Sequence, residues 1–157
     1  MILLFLGCGY KPSSVYQNKI IGDRIKVDVK IDPKNPRETI FLKDAVIDAV
    51  YTVFGKNLCT SKCDTYLQVN SSSSNISAID FDENGYPILY RSSVNLNVNL
   101  TDKNGKKRHY SVSGTYDFKV AAQGVVTEQL KLDAYKKASI NALNKLIAKI
   151  TKDGAKL

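Results

Sequence analysis

Three groups of residues in this chain carry chemistry beyond packing. They are Cys8, the pair Cys59 and Cys63, and the run Lys103, Lys106, Lys107 and Arg108 with His109 beside it. Cys8 closes the apolar run Ile2-Leu3-Leu4-Phe5-Leu6-Gly7, after which the sequence turns polar. A small residue before a cysteine leaves the intervening bond open to a peptidase, and the thiol is the nucleophile that takes up lipid. Acyl chains contribute about 0.8 kcal/mol per buried CH₂, so more than one chain anchors a protein stably.

Leu4-Phe5-Leu6-Gly7-Cys8 resembles a bacterial lipobox, with Phe5 standing where leucine is commoner. The competing reading is a buried first strand with an incidental thiol. The run is too short for a membrane helix, which needs about 20 apolar residues. It matches the tail of a secretory signal, whose apolar part runs about 7–15 residues behind a positive start. That start is missing before Ile2, so the expectation is a start codon upstream of Met1 or a trimmed chain. On this reading residues 1–7 are a signal remnant and residues 8–22 a polar, lipid-anchored tether. Residues 23–152 form one domain and residues 153–157 a tail.

Cys59 and Cys63 lie in "LCTSKCD". In an oxidising compartment the pair suits a short disulfide loop; two free thiols are the alternative. A C-x₃-C pair with no second pair and no nearby histidine does not complete a metal site. His109 is the sole histidine and sits in a basic run on the outward parity of its strand. Neither an orienting carboxylate nor a nucleophile can be placed beside it, so a surface role is expected. No phosphate-cradling glycine loop or zinc-binding helix motif is present, so no enzyme activity, cofactor or metal is expected.

The chain has 157 residues, 43% of them hydrophobic and 24% charged, with a formal net charge of +8. That composition is globular, and the charge favours polyanions as partners. Basic charge alone would admit nucleic acid; lipidation of Cys8 argues against it, because the envelope lacks that partner.

The elements that must hold these residues follow from periodicity. Ile25, Val27, Val29 and Ile31 alternate with Arg24, Lys26, Asp28 and Lys30, which predicts a half-buried strand. A helix follows, starting either at Asn35-Pro36 with Glu38 reaching back to cap it, or near Leu42. Its stripe is Leu42, Ala45, Val46, Ala49, Val50, Val53 and Phe54, and Gly55 stops it. Residues 64–81 read as an irregular strand, because Ser71–Ser74 offer no apolar face.

After the Asp82-Glu83-Asn84-Gly85 turn comes a cleaner strand. Tyr86, Ile88, Tyr90, Val94, Leu96, Val98 and Leu100 share one parity, and Arg91, Ser93, Asn95, Asn97, Asn99 and Thr101 the other. Tyr110, Val112, Gly114, Tyr116, Phe118 and Val120 share a parity beyond the next turn. A two-residue turn at Asn104-Gly105 would pair Val98 with Ser111 and split the core. A three-residue loop, Lys103–Gly105, pairs Val98 with Tyr110 and places Gly105 in the left-handed conformation such loops need. The last element is a helix with Leu132, Tyr135, Ser139, Ala142, Leu143, Leu146, Ile147 and Ile150 on its inner face.

The predicted architecture is α+β, strand-helix-strand-strand-strand-helix. It is a two-layer α/β sandwich with two helices on one face of a mainly antiparallel four-stranded sheet. The other sheet face is rich in Asn and Ser. It suits open water, and equally a wet, polar cavity in a partner, since amides hydrogen-bond without a charge to desolvate.

Gly7-Cys8-Gly9-Tyr10, the element order, the "FDENGYPILYR" and "LTDKNGKK" turns and the "GTYDF" strand before a long helix together resemble the LPS-assembly lipoproteins, the LptE family. The resemblance implies an outer-membrane lipoprotein on the periplasmic side. It further implies a plug in the β-barrel LptD that supports barrel assembly and lipopolysaccharide insertion. Lys103, Lys106, Lys107 and Arg108 would then face lipopolysaccharide phosphates, unless they only solubilise an edge loop. Some family members carry a basic residue in the turn that is acidic here at 82–85, and Arg91 is the nearest substitute. Ser93, Asn95, Asn97 and Asn99 would face the barrel. A different envelope lipoprotein binding a periplasmic polyanion is the alternative.

Mass spectrometry of the mature N-terminus should show Cys8 as the first residue, carrying acyl chains, with residues 1–7 removed. An intact Met1 with a free thiol would exclude the anchor.

Overall fold

A computed structural model describes residues 12–30 and 32–157. Cys8 and the rest of 1–11 lie outside the described residues, as does Ile31 of the first predicted strand. The elements in order are α1 (Ser13–Gln17), β1 (Arg24–Val29), α2 (Pro36–Thr52), β2 (Asn57–Leu58), β3 (Thr65–Phe81), β4 (Pro87–Thr101), β5 (Lys107–Lys119) and α3 (Glu128–Ala155). The architecture is the expected α+β sandwich. The sheet has five strands rather than four, in the order β2-β1-β3-β4-β5. It is mixed: β1 pairs in parallel with β2 and with β3, while β3, β4 and β5 are antiparallel. The parallel β1–β3 pair needs a crossover, and α2 supplies it.

Helix α2 begins at the earlier of the two predicted starts, with Pro36 in its first turn. The capping is not the predicted one, because neither Asn35 nor Glu38 bonds back to the helix start. The Glu38 carboxylate instead accepts from Ser74 Oγ at 2.6 Å, and Thr39 Oγ1 accepts from the Asp32 amide at 3.1 Å. Leu42, Ala45, Val46, Ala49, Val50 and Phe54 are buried as the periodicity requires. The chain then leaves through Gly55 at φ +61°.

Strand β3 skips register between Ser71 and Ser73 and again near its end, the irregularity expected from its serine run. Its pairing with β1 ends at Val69, so the second half of β3 has only β4 beside it. The β4–β5 register is the predicted one, with Val98 opposite Tyr110 and Leu96 opposite Val112. Gly105 takes φ +79° in the three-residue loop.

The tether and tail boundaries are corrected. Residues 13–17 are helical, and Gln17, Ile20 and Ile21 are buried, so the folded unit begins well before residue 23. Burying an isoleucine contributes roughly 1.5–3 kcal/mol, enough to hold a segment this short against the body. At the other end α3 continues through Asp153 and Gly154 to Ala155, and Gly154 is buried against the Tyr16 carbonyl.

The core lies between the helices and the inner sheet face. It joins Ile20, Leu67, Val94, Leu96, Val98, Leu143, Leu146 and Ile150, among others. Gly114 lets β5 approach α3 closely, since a Cβ there would land on the Ala138 carbonyl and the Ala142 amide. Asn141 Nδ2 and Lys149 Nζ of α3 donate to the β5 carbonyls of Thr115 and Ser111, at 2.8 and 2.6 Å. Two carbonyls of the outer β5 edge are thereby satisfied, which blunts that edge against strand pairing.

Gly114→Ala should lower stability by about 2–3 kcal/mol, because the obstacle is backbone that cannot rotate away. Urea unfolding would measure it, and a midpoint equal to wild type would refute the close-approach account.

Candidate binding face and the basic end of the sheet

The outer sheet face carries rows of polar side chains that run across the strands. Asp28, Gln68, Asn99 and His109 are register partners on β1, β3, β4 and β5. Their side chains are linked in that order. Gln68 Nε2 donates to Asp28 Oδ2 at 2.9 Å, and Asn99 Nδ2 donates to Gln68 Oε1 at 3.4 Å. His109 Nδ1 lies 2.8 Å from Asn99 Oδ1, a contact in which the ring nitrogen donates. Each amide thus uses its oxygen toward one neighbour and its nitrogen toward the other, as a ladder of like orientation requires.

The adjacent row is Lys26, Tyr66, Thr101 and Lys107. Lys26 Nζ stands 6.0 Å from the Tyr66 ring centroid. The two rows line a shallow concavity of about 830 Å³. Further along β4, Asn95 is exposed and its Nδ2 donates to Ser73 Oγ at 2.8 Å, while Ser93 and Asn97 are half-buried. Between the charged groups of Asp28, Lys26 and Lys107, the face offers neutral donors and acceptors to anything laid against it. Such groups can exchange water for partner atoms without the penalty of desolvating a charge.

The basic hairpin does not converge on one point. Arg108 Nε pairs with Asp102 Oδ2 at 3.3 Å, the arginine side chain being 14% exposed and the aspartate 1%. The other Asp102 oxygen accepts from the Asn104 and Lys106 amides, both at 2.9 Å. Lys103 Nζ donates to the Asn18 carbonyl at 2.6 Å, and its amide donates to the Ile20 carbonyl at 3.1 Å. Among the described residues only Lys106 and Lys107 of this run make no side-chain hydrogen bond or ion pair. Of the four cations expected to face phosphate, Lys103 and Arg108 thus also have partners within the protein. A turn this tight needs a buried acceptor, and its own arginine neutralises that acceptor.

Arg91 lies eight residues along β4 from Asn99, roughly 27 Å at the usual strand rise. It is not near the hairpin. Its guanidinium makes two bonds of 2.7 Å to Asp117 on β5. Arg91 holds the Asp117 carboxyl below the usual carboxylate range, and Asp117 raises the guanidinium in turn. This forked pair occupies the groups that a phosphate would need.

Tyr110 reaches from β5 to α3, donating from its hydroxyl to Asp153 Oδ2 at 3.2 Å. Burial, with the Asp153 carboxylate beside it, pushes the phenol up to about 12. Cys59 and Cys63 are joined in a disulfide with Cα atoms 5.9 Å apart, just before β3. A second cavity, about 380 Å³, opens where Glu38 of α2 and Glu128 of α3 approach β3 and β4. Tyr135 lines it, with its phenol raised chiefly by burial. Among the described residues no helix is long and apolar enough to cross a membrane.

This arrangement, a mixed sheet with helices on one face, is a fold that other solved proteins share. No family model matches the chain. No curated protein matches its sequence. A candidate lipoprotein from Caulobacter crescentus has the fold at a TM-score of 0.53 and 12% identity, over 91% of this chain and 96% of that one. The protein XCC0632 from Xanthomonas campestris, of the DUF330 family, gives 0.51 and 11%, over 88% of each chain. The protein CT253 from Chlamydia trachomatis gives 0.51 and 7%, over 87% of this chain and 99% of that one. At these identities the likeness is one of fold.

Asp102→Ala should destabilise the protein by about 2–4 kcal/mol, since it strands two turn amides and a largely buried arginine. Asp102→Asn, which keeps the turn acceptor, should lose less; equal losses in urea unfolding would contradict the two-part role. For Tyr110 the folded-state value of about 12 lies above the ordinary value of 10.0. The protonated phenol therefore contributes stability that is full below pH 10 and lost as the pH climbs toward 12. Tyr110→Phe should flatten the fall in stability across that window, as read by denaturation at stepped pH.

Proposed function

We propose that this chain is an outer-membrane lipoprotein, held by acylated Cys8 on the periplasmic side. It acts as a plug and assembly partner of the lipopolysaccharide-export β-barrel LptD, and aids lipopolysaccharide insertion through that barrel. The observation that carries the reading is the outer sheet face. Its neutral ladder, Gln68–Asn99 and Asn95–Ser73, is suited to the wet, polar lumen of a barrel. Two further points support it. Gly7-Cys8 supplies the acylation motif. The fold is shared with a protein from Caulobacter crescentus whose own description is that of a candidate lipoprotein.

The action proposed is binding, not catalysis. His109 faces the Asn99 amide, which offers no charge to orient an imidazole for proton transfer. Direct contact with lipopolysaccharide through Arg91 or Arg108 is not part of this reading, because Asp117 and Asp102 occupy them.

Detergent extraction of the tagged, full-length protein should bring down an outer-membrane β-barrel. Asn95→Lys with Asn97→Lys should reduce that recovery by tenfold or more while leaving the unfolding free energy within about 0.5 kcal/mol, as surface changes do. A protein that runs alone in mild detergent would remove the barrel partner from the proposal.

A further inference from the structure

The N-terminal segment enters the fold at one end of the sandwich, and that end is electrically unlike the other. Helix α1 sits against the β4–β5 turn through the Lys103 bonds to Asn18 and Ile20, and against the end of α3 where Gly154 meets Tyr16. Around this junction Lys19, Lys62, Lys103, Lys106, Lys107 and Lys156 are all exposed. The acids of the same end are engaged with the protein itself. Asp102 is buried against Arg108, Asp23 pairs with Lys56 at 2.8 Å, and Asp64 with Arg24 at 3.4 Å. Asp153 accepts from Tyr110 and pairs with Lys156 at 3.8 Å. The opposite end carries the acidic turn of Asp80, Asp82 and Glu83, with Glu128 at the start of α3.

We propose that the end from which residue 12 leaves is a docking surface for a bilayer containing anionic phospholipid. It rests on the lipid-anchor part of the function above. Three residues lie between Cys8 and Pro12, so four residue steps join them. Fully extended they reach about 14 Å, so an acylated Cys8 holds α1 close to the headgroups. The screening length at physiological salt is about 8 Å, so the lysines around α1 come within range of the surface charge. Lysines suit this partner because a lipid headgroup presents mobile point charges that require no forked geometry. The acidic turn at 82–85 is then repelled outward, which sets the long axis of the sandwich away from the membrane. The sheet face with Asn95 and Asn99 is left clear at the side.

The test uses the full chain as Cys8→Ser, so that the surface is read without any anchor. Sedimentation is compared for vesicles of phosphatidylcholine alone and with phosphatidylglycerol at one lipid in three. Binding should require phosphatidylglycerol and fall steeply with salt. Each lysine near such a surface contributes roughly fivefold in affinity, so Lys103→Gln with Lys106→Gln and Lys107→Gln should lose about 100-fold. The pair Lys106→Gln with Lys107→Gln touches no internal bond and should lose about 25-fold even where the triple variant folds poorly. Lys119→Gln, exposed on β5 beside Leu89 at the opposite end, should change binding less than twofold.

Equal binding to neutral vesicles would overturn the proposal. So would equal losses from the variants at the two ends, or duplex DNA that displaces the vesicles at equal phosphate concentration. The mass of the native N-terminus decides the anchor separately, so failure of one does not imply failure of the other.

Discussion

The carboxylate of Asp102 governs more of this structure than any other single group. It accepts two amides of the β4–β5 loop and the Arg108 guanidinium while itself almost wholly buried. Those bonds close a three-residue loop around Gly105, and the loop sets the register of β4 against β5, the two strands on which α3 packs. Side chains alternate strictly along a strand, so a slip of one residue would set Val98 opposite Ser111 and put the apolar sets of β4 and β5 on opposite faces of the sheet. The separation of an apolar inner face from an amide outer face therefore depends on this turn.

The same turn ties the two ends of the chain together. Lys103 holds α1 by two bonds, and α1 is packed in turn against the end of α3. The first described residues thus leave from a packed, hydrogen-bonded corner. This matters for any protein tethered by its N-terminus, because a fixed exit point converts a short tether into a fixed orientation. Charge follows the same axis, with basic residues at the corner and acidic ones at the far turn.

The polar sheet face is ordered by amides that bridge from strand to strand, with charge confined to a few positions. The Asp28–Gln68–Asn99–His109 row spans four strands through side-chain bonds alone. Exposed hydrogen bonds of this kind add little net stability, since water competes for both partners. Their effect is to limit the rotamers that the face presents, which lowers the entropy lost when something is laid on it. The forked Arg91–Asp117 pair does the same further up the sheet.

Much of this was readable from residue order. The period of two in residues 86–100 and 110–120 specified both faces, and Gly105 with the parity of Val98 and Tyr110 specified the loop. The stripes of α2 and α3 were legible because seven apolar residues in each recur at three and four. Other features lay beyond such reasoning. Residues 13–21 looked like a tether because only Ile20 and Ile21 mark them for burial, and two residues carry no period. Strand β2 is two residues long and exists because β1 lies beside it. The parallel placement of β1, and with it the ladder to His109, depends on pairing between strands 40 residues apart. The partners of Arg91, Lys103 and Arg108 were likewise hidden, because the sequence shows charges but not the distances between them. Periodicity is a local property and determined which face each element buries. The contacts that select neighbours are long-range, and only the packed chain could decide which cations remain free.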